Sequence, residues 1–218
     1  MTPLFVIPLW ADLLAIGIGA MQGALFAAQF RDRKLDLLGI AIIGIATGFG
    51  GGILRDVLLA EVPAALTSNW YLLVATSAAL FGMLLERLIA RMGPLVNALD
   101  ALTIGLFGAI GTTKALAAGL PEVPSIFVGV LSAVGGSILR DMLLNRPIAL
   151  MHVGSLYAVA AFAGTSSLVV LLAFGVPVFI AATICVGITF VVRVLSVVFH
   201  WSLPEQRAIT RVPGIRRP

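Results

Sequence analysis

Charge is what this sequence has least of: 11% of its 218 residues are Asp, Glu, Lys or Arg, where a soluble domain carries about a quarter. Hydrophobic residues make up 60% of it. A water-soluble fold cannot hide that much apolar surface, because its exterior has to be covered by polar groups. Lipid removes the difficulty, and an integral membrane protein follows. Cysteine is nearly absent. The one thiol, Cys185, sits between Ile184 and Val186 in an apolar run, which excludes a disulfide framework or a thiolate metal cluster and reads as packing. There is no His-Glu-x-x-His pattern, no nucleophile with a matched base and no metal-ligand cluster, so an intramembrane enzyme is poorly supported. The net charge of +4 is carried by loops and the tail rather than by one folded face. It therefore reads as topogenic, not as a nucleic-acid surface. Met1 to Trp10 holds no basic residue, and the first apolar stretch is long enough to span, so the start does not read as a cleavable signal.

A membrane helix needs about 20 mainly apolar residues. Cutting at charges and Gly-Pro breaks predicts seven spans, near 8–30, 37–60, 69–89, 95–118, 124–145, 152–174 and 177–199. The stretch from Pro147 to Val192 has no charge and is too long for one helix; Gly175-Val176-Pro177 divides it, since glycine ends helices and proline starts them. Arg31, Arg33 and Lys34 follow span one, Arg87 and Arg91 span three, and Arg146 span five. The tail holds Arg207, Arg211, Arg216 and Arg217, whereas the opposite loops offer only Glu61 and Glu122. The Lys/Arg bias then puts the N-terminus outside and the C-terminus in the cytoplasm of a bacterial or archaeal cell membrane.

The most informative feature is an internal repeat. Gly50-Gly51-Gly52-Ile53-Leu54-Arg55-Asp56 is echoed by Gly135-Gly136-Ser137-Ile138-Leu139-Arg140-Asp141. Each is followed by a Leu-Leu pair and by Pro-x-Ala-Leu, Pro63 to Leu66 and Pro147 to Leu150. Upstream, Asp12, Gly17 and Gly23 match Asp100, Gly105 and Gly111 at constant offset. The expected architecture is all-α, with repeat one near 8–90, repeat two near 94–174, an extra helix near 177–200 and a basic tail 201–218. Three spans per copy is an odd number, so the second copy enters from the opposite side. Such inverted repeats put a substrate or ion path near the midplane.

Glycines in mid-helix cost up to about 1 kcal/mol each relative to Ala. Runs of them predict kinks in spans two and five beside a wet path, with freed backbone groups facing it. Close packing through small residues is the plainer alternative, and the one that suits Gly17, Gly19 and Gly23. Arg55-Asp56 and Arg140-Asp141 lie about a turn further on. Neighbours on a helix point about 100° apart, so each Arg is expected to bond across the repeat or to freed carbonyls rather than to its own Asp. Either a structural clamp or direct ion contact fits them. Lys114 has two readings: a gate for cations, or a side chain snorkelling to headgroups. Asp12 and Asp100 read first as acids at helix N-termini and second as attractors of cations. His152 and His200 fall at span edges, and Trp10, Trp70, Tyr71 and Trp201 suit an aromatic belt.

The doubled Gly-Gly-x-x-x-Arg-Asp signature, the three-plus-three-plus-one spans and the length resemble the prokaryotic trimeric intracellular cation (TRIC) channels, from about Asp12 to Trp201. The resemblance implies a homotrimer with one hourglass pore per subunit, permeable to potassium and other monovalent cations. It implies no cofactor beyond permeant K⁺ or Na⁺ and a possible bound lipid, and no nucleic-acid partner. The family's kinks map onto Gly50, Gly51 and Gly52, and onto Gly135 and Gly136, where Ser137 departs from a full triplet. Some bacterial proteins with this signature are linked instead to uptake of small solutes such as glycine. A secondary transporter is therefore the competing reading, with helix N-termini at the glycine breaks, helped by Arg55 or Arg140, as its carboxylate site.

Overall fold

A computed structural model describes residues 7–29, 35–89, 93–151 and 156–201, with backbone only for 86–89 and 93. Arg31, Arg33, Lys34, Arg91, His152 and the four tail arginines lie outside the described residues, as does the side chain of Arg87.

Among the described residues seven α-helices make up the fold: α1 (Leu9–Ala28), α2 (Leu37–Leu58), α3 (Asn69–Ile89), α4 (Gly93–Ala117), α5 (Glu122–Leu143), α6 (Tyr157–Ala173) and α7 (Val178–Val198). By length and hydropathy five of these qualify as membrane spans among the described residues, and α6 and the Asn69–Leu85 part of α3 are shorter apolar stretches. At 22 residues α2 is about 33 Å long, enough to cross the hydrocarbon. The chain is an all-α integral membrane protein of two inverted three-helix repeats, α1–α3 and α4–α6, with α7 added. Span six begins at Tyr157, later than expected.

Local chemistry sets the ends. Asp36 caps α2 by accepting the Gly39 amide at 2.7 Å, satisfying a donor the helix itself cannot. Prolines 8, 121 and 177 precede α1, α5 and α7. Gly175, with φ of 78°, closes α6: the Val176 amide returns to the Leu171 carbonyl at 3.0 Å, a Schellman ending.

In repeat one α1 packs on α2 and α3; in repeat two α4 packs on α5, with α7 against α4 and α6. The repeats join where α2 crosses α5. At that crossing a Cβ on Gly51 would land on the Ser132 carbonyl oxygen, and one on Gly136 on the Thr47 carbonyl oxygen. Gly50 and Gly135 face each other's helix in the same way, their Cβ positions 2.7 Å from Leu139 and 2.6 Å from Leu54. The glycines are therefore needed for contact between main chains. Both helices run unbroken through them, so the expected release of backbone amides and carbonyls does not occur; any bend is absorbed within a continuous helix. Gly52 differs. A Cβ there would meet only Arg55 and Phe107, at 3.9 and 4.0 Å. That room explains why the matching position carries Ser137, whose hydroxyl donates to the Val134 carbonyl at 2.8 Å.

Candidate functional site

The start of α1, the end of α2, the start of α3 and the end of α4 come together at one end of the bundle. The start of α4, the end of α5, the start of α6 and the ends of α1 and α7 come together at the other. Each end holds an ion cluster built to the same plan.

In the first, Arg55 (1% exposed) grips its own neighbour: Nε donates to Asp56 Oδ1 at 2.8 Å and Nη2 to Oδ2 at 3.3 Å. Nη1 reaches towards Asp12 Oδ1 at 3.6 Å. Tyr71 donates its hydroxyl to Asp12 Oδ2 at 3.1 Å, and the Ala64 amide donates to Asp56 Oδ2 at 2.8 Å. Lys114 from the other repeat completes the cluster, its Nζ 2.8 Å from Asp56 Oδ1 and 2.6 Å from Glu61 Oε2.

The second cluster repeats the first. Arg140 donates from Nε and Nη2 to Asp141 Oδ1 at 3.1 and 3.0 Å, with Nη1 3.7 Å from Asp100 Oδ1. Tyr157 donates to Asp100, and the Ala149 amide donates to Asp141 Oδ2 at 2.9 Å. The helical turns Ala64–Leu66 and Ala149–Met151 supply the two amides, each eight residues after its acid. The Pro-x-Ala-Leu match read from sequence is thus one residue out of structural register. Gln22 Nε2 adds a hydrogen bond to Asp100 Oδ1 at 3.1 Å, and Arg193 Nη2 lies 3.5 Å from Asp100 Oδ2.

Several expectations are corrected here. Each Arg pairs with its own Asp because the 100° between neighbours separates only the roots of the side chains; the long guanidinium arm folds back, Arg55 across both oxygens of Asp56 and Arg140 with two nitrogens on the single Oδ1 of Asp141. Asp12 does stand in the first turn of α1, whereas Asp100 lies beyond the first turn of α4, and both are buried acceptors inside the clusters. Lys114 turns inward to two carboxylates instead of snorkelling. Tyr71, 7% exposed, is an interior donor, whereas Trp10, Trp70 and Trp201 are exposed as a belt requires. His200 lies exposed just past α7, and Cys185 is fully buried.

Reading the sequence missed Tyr157, Gln22 and Arg193. The tyrosines had a signal: each follows its Arg-Asp pair at nearly the same spacing. Arg193 had a stronger one, as a lone charge in an otherwise apolar span. Removing either tyrosine hydroxyl leaves a buried carboxylate oxygen short of a donor, costing about 2 kcal/mol. Tyr71→Phe and Tyr157→Phe should each lower the thermal midpoint by about 5 °C in a detergent melt; no change in either would show that the hydroxyls are not bonded.

Each cluster opens on a cavity. The first, about 430 Å³, is lined by Asp12, Glu61, Thr67, Tyr71 and Lys114 among others. The second, about 210 Å³, is lined by Gln22, Asp100, Arg140, Tyr157 and Arg193 among others. They share no lining residue. Asp12 and Gln22 are ten residues apart on α1, about 15 Å along the axis. Phe107 of α4 (2% exposed) occupies that interval, packed against Gly19, Gly51 and Gly52.

The sequence profile of the family described as Glycine transporter matches residues 9–87 and 97–173, the two repeats. A UPF0126 membrane protein of Deinococcus radiodurans is 34% identical over 160 residues, 72% of this chain and 73% of that one. The Escherichia coli UPF0126 inner membrane protein YadS is 29% identical over 198 residues, 89% of this chain and 94% of its own. Among solved structures, the TRIC trimeric intracellular cation channel orthologue from Rhodobacter sphaeroides superposes with a TM-score of 0.81 at 29% identity, over 88% of this chain and 97% of that one. Matched through both repeats, the chain belongs to this glycine-transporter family and has the architecture of the bacterial TRIC channels.

Proposed function

We propose that the protein is a cation channel, passing K⁺ and other monovalent cations, in which each subunit of a homotrimer encloses its own path. The observation that carries this is the pair of polar cavities at opposite ends of one subunit, related by the inverted repeat and separated by a short packed interval. The solved relative's channel function supports it. The path runs between the cavities past Phe107 and the glycine crossing.

A cation path beside Arg55, Arg140 and Lys114 requires that their charge be answered, and each has a carboxylate within hydrogen-bonding distance. In the first cluster Asp12, Asp56 and Glu61 outnumber Arg55 and Lys114, and surplus negative charge in a cleft concentrates cations. The positive-inside bias puts this cavity outside and the second one in the cytoplasm of the inner membrane. The apolar groove lined by Trp10, Leu14, Phe179 and Val186 is where a bound lipid chain fits.

Liposomes loaded with KCl test the reading. Potassium efflux should rise with the gradient without saturating; saturable flux blocked by competing solutes would overturn it. Lys114→Ala removes the ammonium held between Asp56 and Glu61 at the mouth and should raise unitary conductance or open probability. Unchanged single-channel records would remove Lys114 from the pore.

The family's description favours a second reading, transport of a small solute such as glycine. Unbroken α2 and α5 deny it the helix N-termini expected at the glycine runs, so its binding site has to lie elsewhere.

A further inference from the structure

The two ends of the bundle differ at one acid. Among the described residues Asp12 takes the Tyr71 hydroxyl and a close approach from Arg55. Asp100 takes the matching Tyr157 hydroxyl, the matching approach from Arg140 and two further groups. Gln22 donates to its Oδ1 at 3.1 Å, and Arg193 brings Nη2 to 3.5 Å from Oδ2. The offset that carries Asp12 onto Asp100 carries Gln22 onto Ile110, whose side chain has no donor. Arg193 comes from α7, which stands outside the repeat. The inverted symmetry is broken at Asp100.

Arg193 is also held less firmly than Arg55, Arg140 or Lys114. Each of those arginines makes two hydrogen bonds to its neighbouring Asp, and Lys114 sits between two carboxylates. Arg193 is 8% exposed, stacks on the Tyr157 ring at 4.1 Å, and has its Nε buried without a hydrogen-bond partner. Burying a guanidinium so loosely answered is costly. An apolar side chain would fasten α7 at less cost, so packing does not account for the arginine. A charge at membrane depth that faces a cavity marks an ion path, and Arg193 lines the second cavity beside Asp100.

We propose that Arg193 limits cation conductance at the second mouth by offsetting the charge of Asp100. Asp141 is already engaged by Arg140 and the Ala149 amide. Asp100 is then the carboxylate that draws a cation inwards from this cavity, and Arg193 is the cation set loosely against it. With the guanidinium in place the attraction is weak; without it, cations concentrate at the mouth. A unit charge about 7 Å from a passing ion changes its local concentration about twofold in dilute salt. The effect fades as the Debye length falls to about 3 Å in molar salt. In this role α7 gives two mirrored cavities unequal mouths. The inference rests on the channel reading and deepens it.

Single-channel recording on the purified full chain, in about 0.05 M and about 1 M KCl, tests it. Arg193→Gln should raise unitary conductance about twofold in the dilute salt and little in the concentrated. Arg193→Lys, which keeps the charge, should conduct as the wild type does in both. Asn97 is exposed and lines the same cavity outside the ion cluster. Asn97→Asp should therefore give a similar gain without disturbing a buried residue, and it decides the matter if the glutamine variant does not fold. Wild-type conductance in dilute salt for the folded variant would overturn the proposal. So would a gain that persists in molar salt or is shared by the lysine variant, since either marks a change of shape instead of charge. A silent wild type removes the channel reading itself, whereas a conducting wild type with unmoved variants removes only this inference.

Discussion

Gly51→Ala should lower the thermal midpoint of the purified protein by about 10 °C. The new methyl lands on the Ser132 carbonyl oxygen, which is main chain, so no change of rotamer relieves it. The only escape is to push α2 and α5 apart along the crossing that joins the two repeats. Overpacking of this kind costs about 3 kcal/mol, the upper end of the usual range, and each kcal/mol is worth about 2–4 °C in a chain of this size. Gly136→Ala should match it, through the Thr47 carbonyl. Gly52→Ala is the control: its methyl meets nothing closer than 3.9 Å, and alanine favours the helix by up to about 1 kcal/mol. That variant should melt at or slightly above the wild type. Equal midpoints for the Gly51 and Gly52 variants would show that the helices do not touch where the glycines lie.

Asp56→Asn should be as damaging, by electrostatics instead of sterics. Asp56 is fully buried and accepts from Arg55, Lys114 and the Ala64 amide. The amide substitution keeps the shape and removes the charge that answers two cations. Stripping one partner from a buried ion pair costs about 3–5 kcal/mol, or about 10–15 °C in the melt. Asp141→Asn should cost less, because among the described residues no lysine is paired with it. Adding Lys114→Met to Asp56→Asn should recover part of the loss, since the orphaned ammonium goes with it; strictly additive effects would show that the two residues are not coupled.

The helices were legible because apolar length and end signals are local: Asp36, Gly175 and Pro177 act within a turn of their own positions. The inverted repeat was legible because the Gly-Gly-x-x-x-Arg-Asp signature occurs twice. What each signature does was not, because that depends on partners distant in sequence. Gly51 meets Ser132 and Gly136 meets Thr47, so runs that suggested broken helices serve a helix crossing. Arg55 and Asp56 were separated by a rule that follows Cβ directions, while the contact is set by the reach of the guanidinium. Tyr71 was assigned to the membrane interface because only the folded chain brings it beneath Asp12. Arg193 stood in plain view, yet its meaning needs the second cavity, which five helices assemble.

Current through the purified protein in a planar bilayer under a KCl gradient bears most directly on whether the two mirrored cavities form one path for cations. Discrete steps reversing near the potassium equilibrium potential are the expected result. A silent bilayer with saturable uptake of a small solute into liposomes, or steps reversing near the chloride potential, would contradict it.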